Sequence, residues 1–121
     1  MIIDICPVPK PRMVRSDKWK KRECVVKYFD FANELRRLMP PYPKNATRLS
    51  IFFTIPMSRS WTKKKKAEML GKPHRQKPDL SNLIKAVEDI LFKDDSGISS
   101  YGGMDKVWGE SGEINILEIT R

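Results

Sequence analysis

Hydrophobic and polar positions along this chain change period several times, and each change marks an element. Met1 to Ile5 is a short apolar run, which predicts an edge strand. Pro7, Pro9 and Pro11 then interrupt regular structure, because proline lacks the N–H that a ladder needs. Lys10 to Arg22 reads as a basic loop. From Glu23 to Met39 the pattern becomes helical, with Val25, Val26, Phe29, Ala32 and Leu35 near the helix period. Arg36 and Arg37 stand where cations suit the helix dipole, and Pro40, Pro41 and Pro43 end the helix. Leu49 to Met57 alternates. Leu49, Ile51, Phe53 and Ile55 face one way and Ser50, Phe52 and Thr54 the other, as in a half-buried strand.

Ser60 to Leu70 predicts a short helix, capped by Ser60 or Thr62 and closed by Gly71. A basic linker, Gly71 to Lys77, leads into the strongest periodicity in the chain. From Leu80 to Phe92, Leu80, Leu83, Ile84, Val87, Ile90 and Leu91 form one apolar face. Ser81, Lys85 and Glu88 occupy another face. Asp79 takes the N-cap position, and Pro78 disfavours a helical start before it. The last segment reads as a hairpin: Lys106 to Trp108, a turn at Gly109 to Gly112, and a strand from Glu113 to Thr120. These elements predict an α+β fold: one domain over residues 1–121, a mostly antiparallel or mixed β-sheet with packed α-helices.

Composition narrows the class. With 40% hydrophobic and 32% charged residues, the chain suits a soluble globular domain rather than a disordered one. Its apolar runs are too short to span a bilayer, and the first residues lack signal-peptide features, so a cytoplasmic location is expected. Cys6 and Cys24 fit no metal-ligand spacing and are expected to be free thiols.

Charge adds a partner. The formal net charge is +9, but it is unevenly spread. Lys10 to Arg22 carries seven Lys/Arg and one acid, and Arg59 to Lys77 carries eight and one. From Pro78 onward there are four Lys/Arg and nine acids. Two basic segments of this density point to a polyanion, although a solvated surface is the plainer reading of either alone. Acids clustered within a basic protein point to a divalent cation working on a phosphate backbone.

The candidate chemistry lies in Lys77-Pro78-Asp79-Leu80-Ser81-Asn82-Leu83-Ile84-Lys85 and in Asp94-Asp95 beyond the helix. Asp79 and Asp95 are the leading metal ligands and catalytic residues, with Asp94 next. Taken singly, Asp79 would serve as an N-cap and Asp94-Asp95 as a turn. Lys85 stands where it would meet a phosphate or a developing oxyanion, or it pairs with Glu88 along the helix. Asn82 supports either the metal shell or the helix start. Lys63, Lys64, Lys65, Lys66, Lys72, His74, Arg75 and Lys77 would track backbone phosphates, and Lys10, Arg12 and Arg15 begin a second contact zone. Trp61 reads as an anchor to the core before it reads as a base-stacking residue. His74 reads as a phosphate or structural contact rather than a general base.

This motif resembles that of the RusA type of Holliday junction resolvase. There, Lys/Arg-Pro-Asp-x-Asp-Asn-Leu-x-Lys opens a helix and an Asp-Asp pair follows it. Lys77-Pro78-Asp79, Asn82-Leu83 and Lys85 match in spacing, Asp94-Asp95 falls at the second acidic site, and Asp89 matches an acid often seen in that helix. The resemblance extends weakly over nearly the whole chain. It implies a small homodimeric endonuclease, often encoded by prophages, that uses Mg²⁺ or Mn²⁺ to cut four-way junction DNA symmetrically.

One position departs from that pattern. Ser81 stands where the family has a second aspartate in its metal site. A serine hydroxyl is a poorer Mg²⁺ ligand than a carboxylate, although water can fill a coordination position. Glu88 lies about 10 Å further along the helix and does not substitute for it. Three readings follow: a junction-resolving nuclease, a junction- or duplex-DNA-binding protein with impaired catalysis, and an RNA-binding protein or ribonuclease.

Overall fold

The computed structural model describes residues 2–12, 14, 22–39, 46–92 and 98–120. Its elements are β1 (Ile2–Ile3), α1 (Glu23–Leu38), β2 (Ala46–Pro56), α2 (Lys63–Met69), α3 (Leu80–Leu91), β3 (Ser100–Gly109) and β4 (Glu113–Thr120). The strands form one mixed sheet in the order β1-β4-β2-β3. β1 and β2 each pair antiparallel to β4, while β3 runs parallel to β2. Parallel neighbours need a long crossover. Here residues 57–99 provide it, and they carry α2, the basic linker and α3.

The expected hairpin is not formed. β3 and β4 lie on opposite sides of β2, and the link at Glu110–Gly112 passes over the end of β2. The turn is where glycines 109 and 112 put it. Local turn chemistry does not specify which strand fills the place between the two arms, and the apolar β2 takes it.

Leu49, Ile51 and Phe53 of β2 and Ile114 and Ile116 of β4 point into the core. Against them pack Leu83, Ala86, Val87 and Ile90 of α3 and Phe31, Ala32 and Leu35 of α1. Burying each large side chain stabilises the fold by roughly 1.5–3 kcal/mol before entropy is counted. The buried stripe of α1 is Val25, Tyr28, Phe31, Ala32 and Leu35. Val26 and Phe29, expected on that stripe, are 41% and 53% exposed. The helix is apolar over a wider arc than its partners cover, and the stripe centres on Tyr28 and Leu35.

Thr62, not Ser60, caps α2: its Oγ1 accepts from the Lys65 amide at 3.2 Å. Gly71 follows with φ +77°, a conformation that side chains disfavour. The linker after it lies along the edge of β3. Gly71 N–H donates to Trp108 O, Trp108 N–H to Lys72 O and His74 N–H to Lys106 O, at 2.9 to 3.0 Å. Cys6 and Cys24 are free and exposed. Among the described residues no helix is long and apolar enough to cross a membrane.

Candidate functional site

Asp79 is the N-cap residue of α3, with extended backbone at φ −66° and ψ 143°. Its carbonyl accepts from the amides of Asn82 and Leu83 at 3.1 and 3.2 Å. Its carboxylate makes no capping hydrogen bond. The helix therefore begins on backbone geometry, with Pro78 disfavouring helix before it, and the exposed acid faces outward. It lines an open cleft of about 470 Å³ with Pro9, Lys10, Lys77, Pro78 and Asn82. The Lys77–Pro78 peptide is cis.

The far wall of this cleft comes from the basic N-terminal loop. The Lys10 amide donates to Asn82 O at 3.3 Å, and its ammonium bonds to Asp89 Oδ2. Lys85 Nζ lies 3.5 Å from Asp89 Oδ1. One carboxylate, two turns along α3 from Asn82, thus holds two ammonium groups. Beneath them, burial pushes the Tyr28 phenol up, and the Lys10 charge works against that rise.

Among the described residues, Asp79 and Ser81 line different clefts. Ser81 is exposed and lines a separate, mostly apolar cleft of about 300 Å³ with Leu80, Ile84, Lys85, Glu88 and Met104. Asp94, Asp95 and Arg15 lie outside the described residues. Among the described residues no three His, Cys, Asp or Glu side chains gather as a metal-holding group.

Lys63, Lys64, Lys65, Lys72, Arg75 and Lys77 are exposed and Lys66 is half-buried, so this segment presents its cations to solvent. Arg12 is exposed too, and its carbonyl accepts from Arg22 Nη2 at 2.8 Å. Trp61 behaves as the expected anchor: it packs on Trp108 with ring centroids 4.8 Å apart, and Lys65 Nζ sits 4.2 Å above its ring.

Of the two roles expected for His74, phosphate contact or structural contact, its placement fits the structural one. It is only 5% exposed and packs on Trp108 at 4.3 Å, so its imidazole is not presented to a phosphate. Burial, and then the nearby Lys106 charge, hold its pKa below the usual histidine value. Its Nδ1 is buried without a hydrogen-bond partner among the described residues.

Sequence reasoning missed Lys106. Its ammonium donates to Gln76 O at 2.5 Å and Pro78 O at 2.6 Å. No local pattern marks it: only the register of β3 on β2 sets Lys106 beside buried Phe53, on one row with Met104 and Trp108. A lysine on such a row needs an acceptor.

No curated protein and no solved structure matches the chain. The family described as endodeoxyribonuclease RusA matches over residues 4–119. That match covers nearly the whole sequence and both walls of the Asp79 cleft, and the chain belongs to the RusA endodeoxyribonuclease family, whose members are Holliday junction resolvases.

Proposed function

We propose that this chain is a Mg²⁺-dependent, structure-selective endodeoxyribonuclease that acts as a homodimer on four-way DNA junctions, cutting two strands symmetrically. Family membership over residues 4–119 carries this reading. The net charge of +9 and the exposed lysines of α2 support a polyanionic substrate. A two-fold dimer would suit a junction that is itself nearly two-fold symmetric.

The donors at the start of α3 suit a hard cation. The Asp79 carboxylate is not engaged in capping, and Asn82, on the same cleft, offers a neutral oxygen. Mg²⁺ commonly takes one or two carboxylates, keeps several waters and binds substrate phosphate. Asp79 would hold it, with Asp95 and then Asp94 as the further carboxylates. When bound, the cation supplies charge neutralisation at the scissile phosphate and acidifies an attacking water.

The chain's own residues bind and orient. Lys85 would meet the phosphate or the leaving oxygen. Lys10 would approach the same cleft from the N-terminal loop. Lys63, Lys64, Lys65, Lys66, Lys72, Arg75 and Lys77 would run along the DNA arms as sequence-independent phosphate contacts. Asn82 would orient the start of the helix, and Asp89 would hold the two lysines beside it.

A second reading is favoured by Ser81, which replaces a carboxylate expected from the family pattern: a junction-binding protein with impaired catalysis. Cleavage of a labelled four-way junction in Mg²⁺ or Mn²⁺, compared with Ser81→Asp, separates the two. Symmetric products from both proteins support the nuclease. Products from the variant alone support the impaired form. Binding by both without cutting leaves a DNA-binding protein. Competition by structured RNA and duplex DNA checks the substrate class.

A further inference from the structure

Lys106 lies on β3, far in sequence from Asp79, yet its ammonium reaches the segment that presents this acid. It donates to Gln76 O at 2.5 Å and to Pro78 O at 2.6 Å, the carbonyls on either side of Lys77. The second contact matters most. Pro78 O belongs to the peptide plane that continues into the Asp79 nitrogen. Fixing that carbonyl fixes the plane before Asp79; with Asp79 at φ −66° and its own carbonyl held by the first turn of α3, the plane then sets the direction in which the Cα–Cβ bond leaves the chain.

At Asp79 itself only the carbonyl is held, by the Asn82 and Leu83 amides, among the described residues. Its carboxylate has no capping bond to hold it against the helix. The linker's backbone bonds to β3 run from Gly71 to His74 and stop there. Among the described residues, the Lys106 ammonium is the donor that hydrogen-bonds residues 76–78 to the sheet.

We propose that Lys106 is a positioning residue for the metal site. It sets the orientation of the Asp79 carboxylate through the Gln76 and Pro78 carbonyls, and touches neither metal nor DNA. This rests on Asp79 as a metal ligand, as argued above. A groups-behind-the-ligand role of this kind typically carries ten- to a hundredfold in metal affinity.

Its test uses the full chain, with Mn²⁺ alone as probe and calorimetry as readout. Wild type, Asp79→Asn, Lys106→Met and Lys106→Arg are titrated, and circular dichroism and thermal midpoints are recorded without metal. Lys106→Met is expected to keep its fold and bind Mn²⁺ about tenfold more weakly. Lys106→Arg, which keeps a charged donor, is expected to recover most of that loss. Wild-type affinity in Lys106→Met, with binding lost in Asp79→Asn, overturns the positioning role and leaves the metal reading intact. Wild-type affinity in Asp79→Asn, or no Mn²⁺ binding by wild type, overturns both. Should Lys106→Met fail to fold, Lys106→Gln takes its place. Its shorter neutral amide is expected to bind Mn²⁺ more weakly than Lys106→Arg does, and equal affinity in the two overturns the proposal.

Discussion

The ammonium of Lys10 bonds to the carboxylate of Asp89, fastening the basic N-terminal loop to the helix that begins beside Asp79. Both side chains are partly exposed, at 34% and 24%. A double-mutant cycle with Lys10→Met and Asp89→Asn should therefore give a coupling energy of about 1 kcal/mol in urea unfolding. It should shrink as salt is raised. A coupling indistinguishable from zero at low salt would show that the loop is held by its backbone alone.

Asp89 also restrains Lys85, at 3.5 Å. Asp89→Asn removes a negative charge from between two lysines. Junction binding by Asp89→Asn should tighten and its salt dependence should steepen, because more positive charge reaches the phosphates. Weaker binding at low salt would place the lysines' function in their geometry rather than their charge.

Because Asp79 makes no side-chain cap, Asp79→Asn should leave stability within about 0.5 kcal/mol of wild type, less than the loss of an ordinary cap. The proposed metal role predicts that Asp79→Asn and Asp95→Asn both retain junction binding and lose cutting. Gel-shift and cleavage assays on the same preparations check this. Loss of binding together with loss of fold counts against it.

His74 predicts a pH effect on stability. Its folded pKa is lowered, chiefly by burial, so the unfolded chain takes up a proton more readily. Its contribution to stability is then full above about pH 6.5 and declines as pH falls from there toward the lower folded value. His74→Phe keeps an aromatic ring against Trp108 and removes the titration. The gap between the thermal midpoints of variant and wild type should widen in the variant's favour on going from pH 8 to pH 5. Parallel midpoint curves would rule this out.

On α2, Lys63→Ala and Lys64→Ala should each weaken binding to junctions of any sequence. Each should also make the slope of log K against log salt shallower by about 0.9. Lys65→Ala should do the same and, through Trp61, lower stability as well. A sequence-dependent loss in the first two would indicate contacts to bases.

The helix carrying the site was legible because its apolar positions keep one period from Leu80 to Leu91, and Pro78 and Asp79 mark its start. β2 was legible for a similar reason: Leu49, Ile51 and Phe53 alternate without interruption. What local pattern does not encode is partnership across the sheet. Gly109 and Gly112 announce a turn, but the choice of β2 as the strand between its arms depends on burying Ile51 and Phe53 under both helices. Val26 and Phe29 were misassigned because apolar residues span more of α1 than its neighbours cover. The Asp79–Lys106 relationship was hidden for the same reason, since it links a linker to a strand through backbone carbonyls that have no sequence signature.

The place of β2 between β3 and β4 also orders events in folding. Both of its neighbours come from residues 100–120, so the central strand has no partner until almost the whole chain is available. Contacts of such long sequence separation form slowly, after loop closure has been overcome. α3 and its acid precede β3 and β4 in the chain, so the sheet beneath them closes only after they have been made. A nascent or truncated chain therefore holds the Asp79 motif before it has the Lys106 strand on which that motif rests.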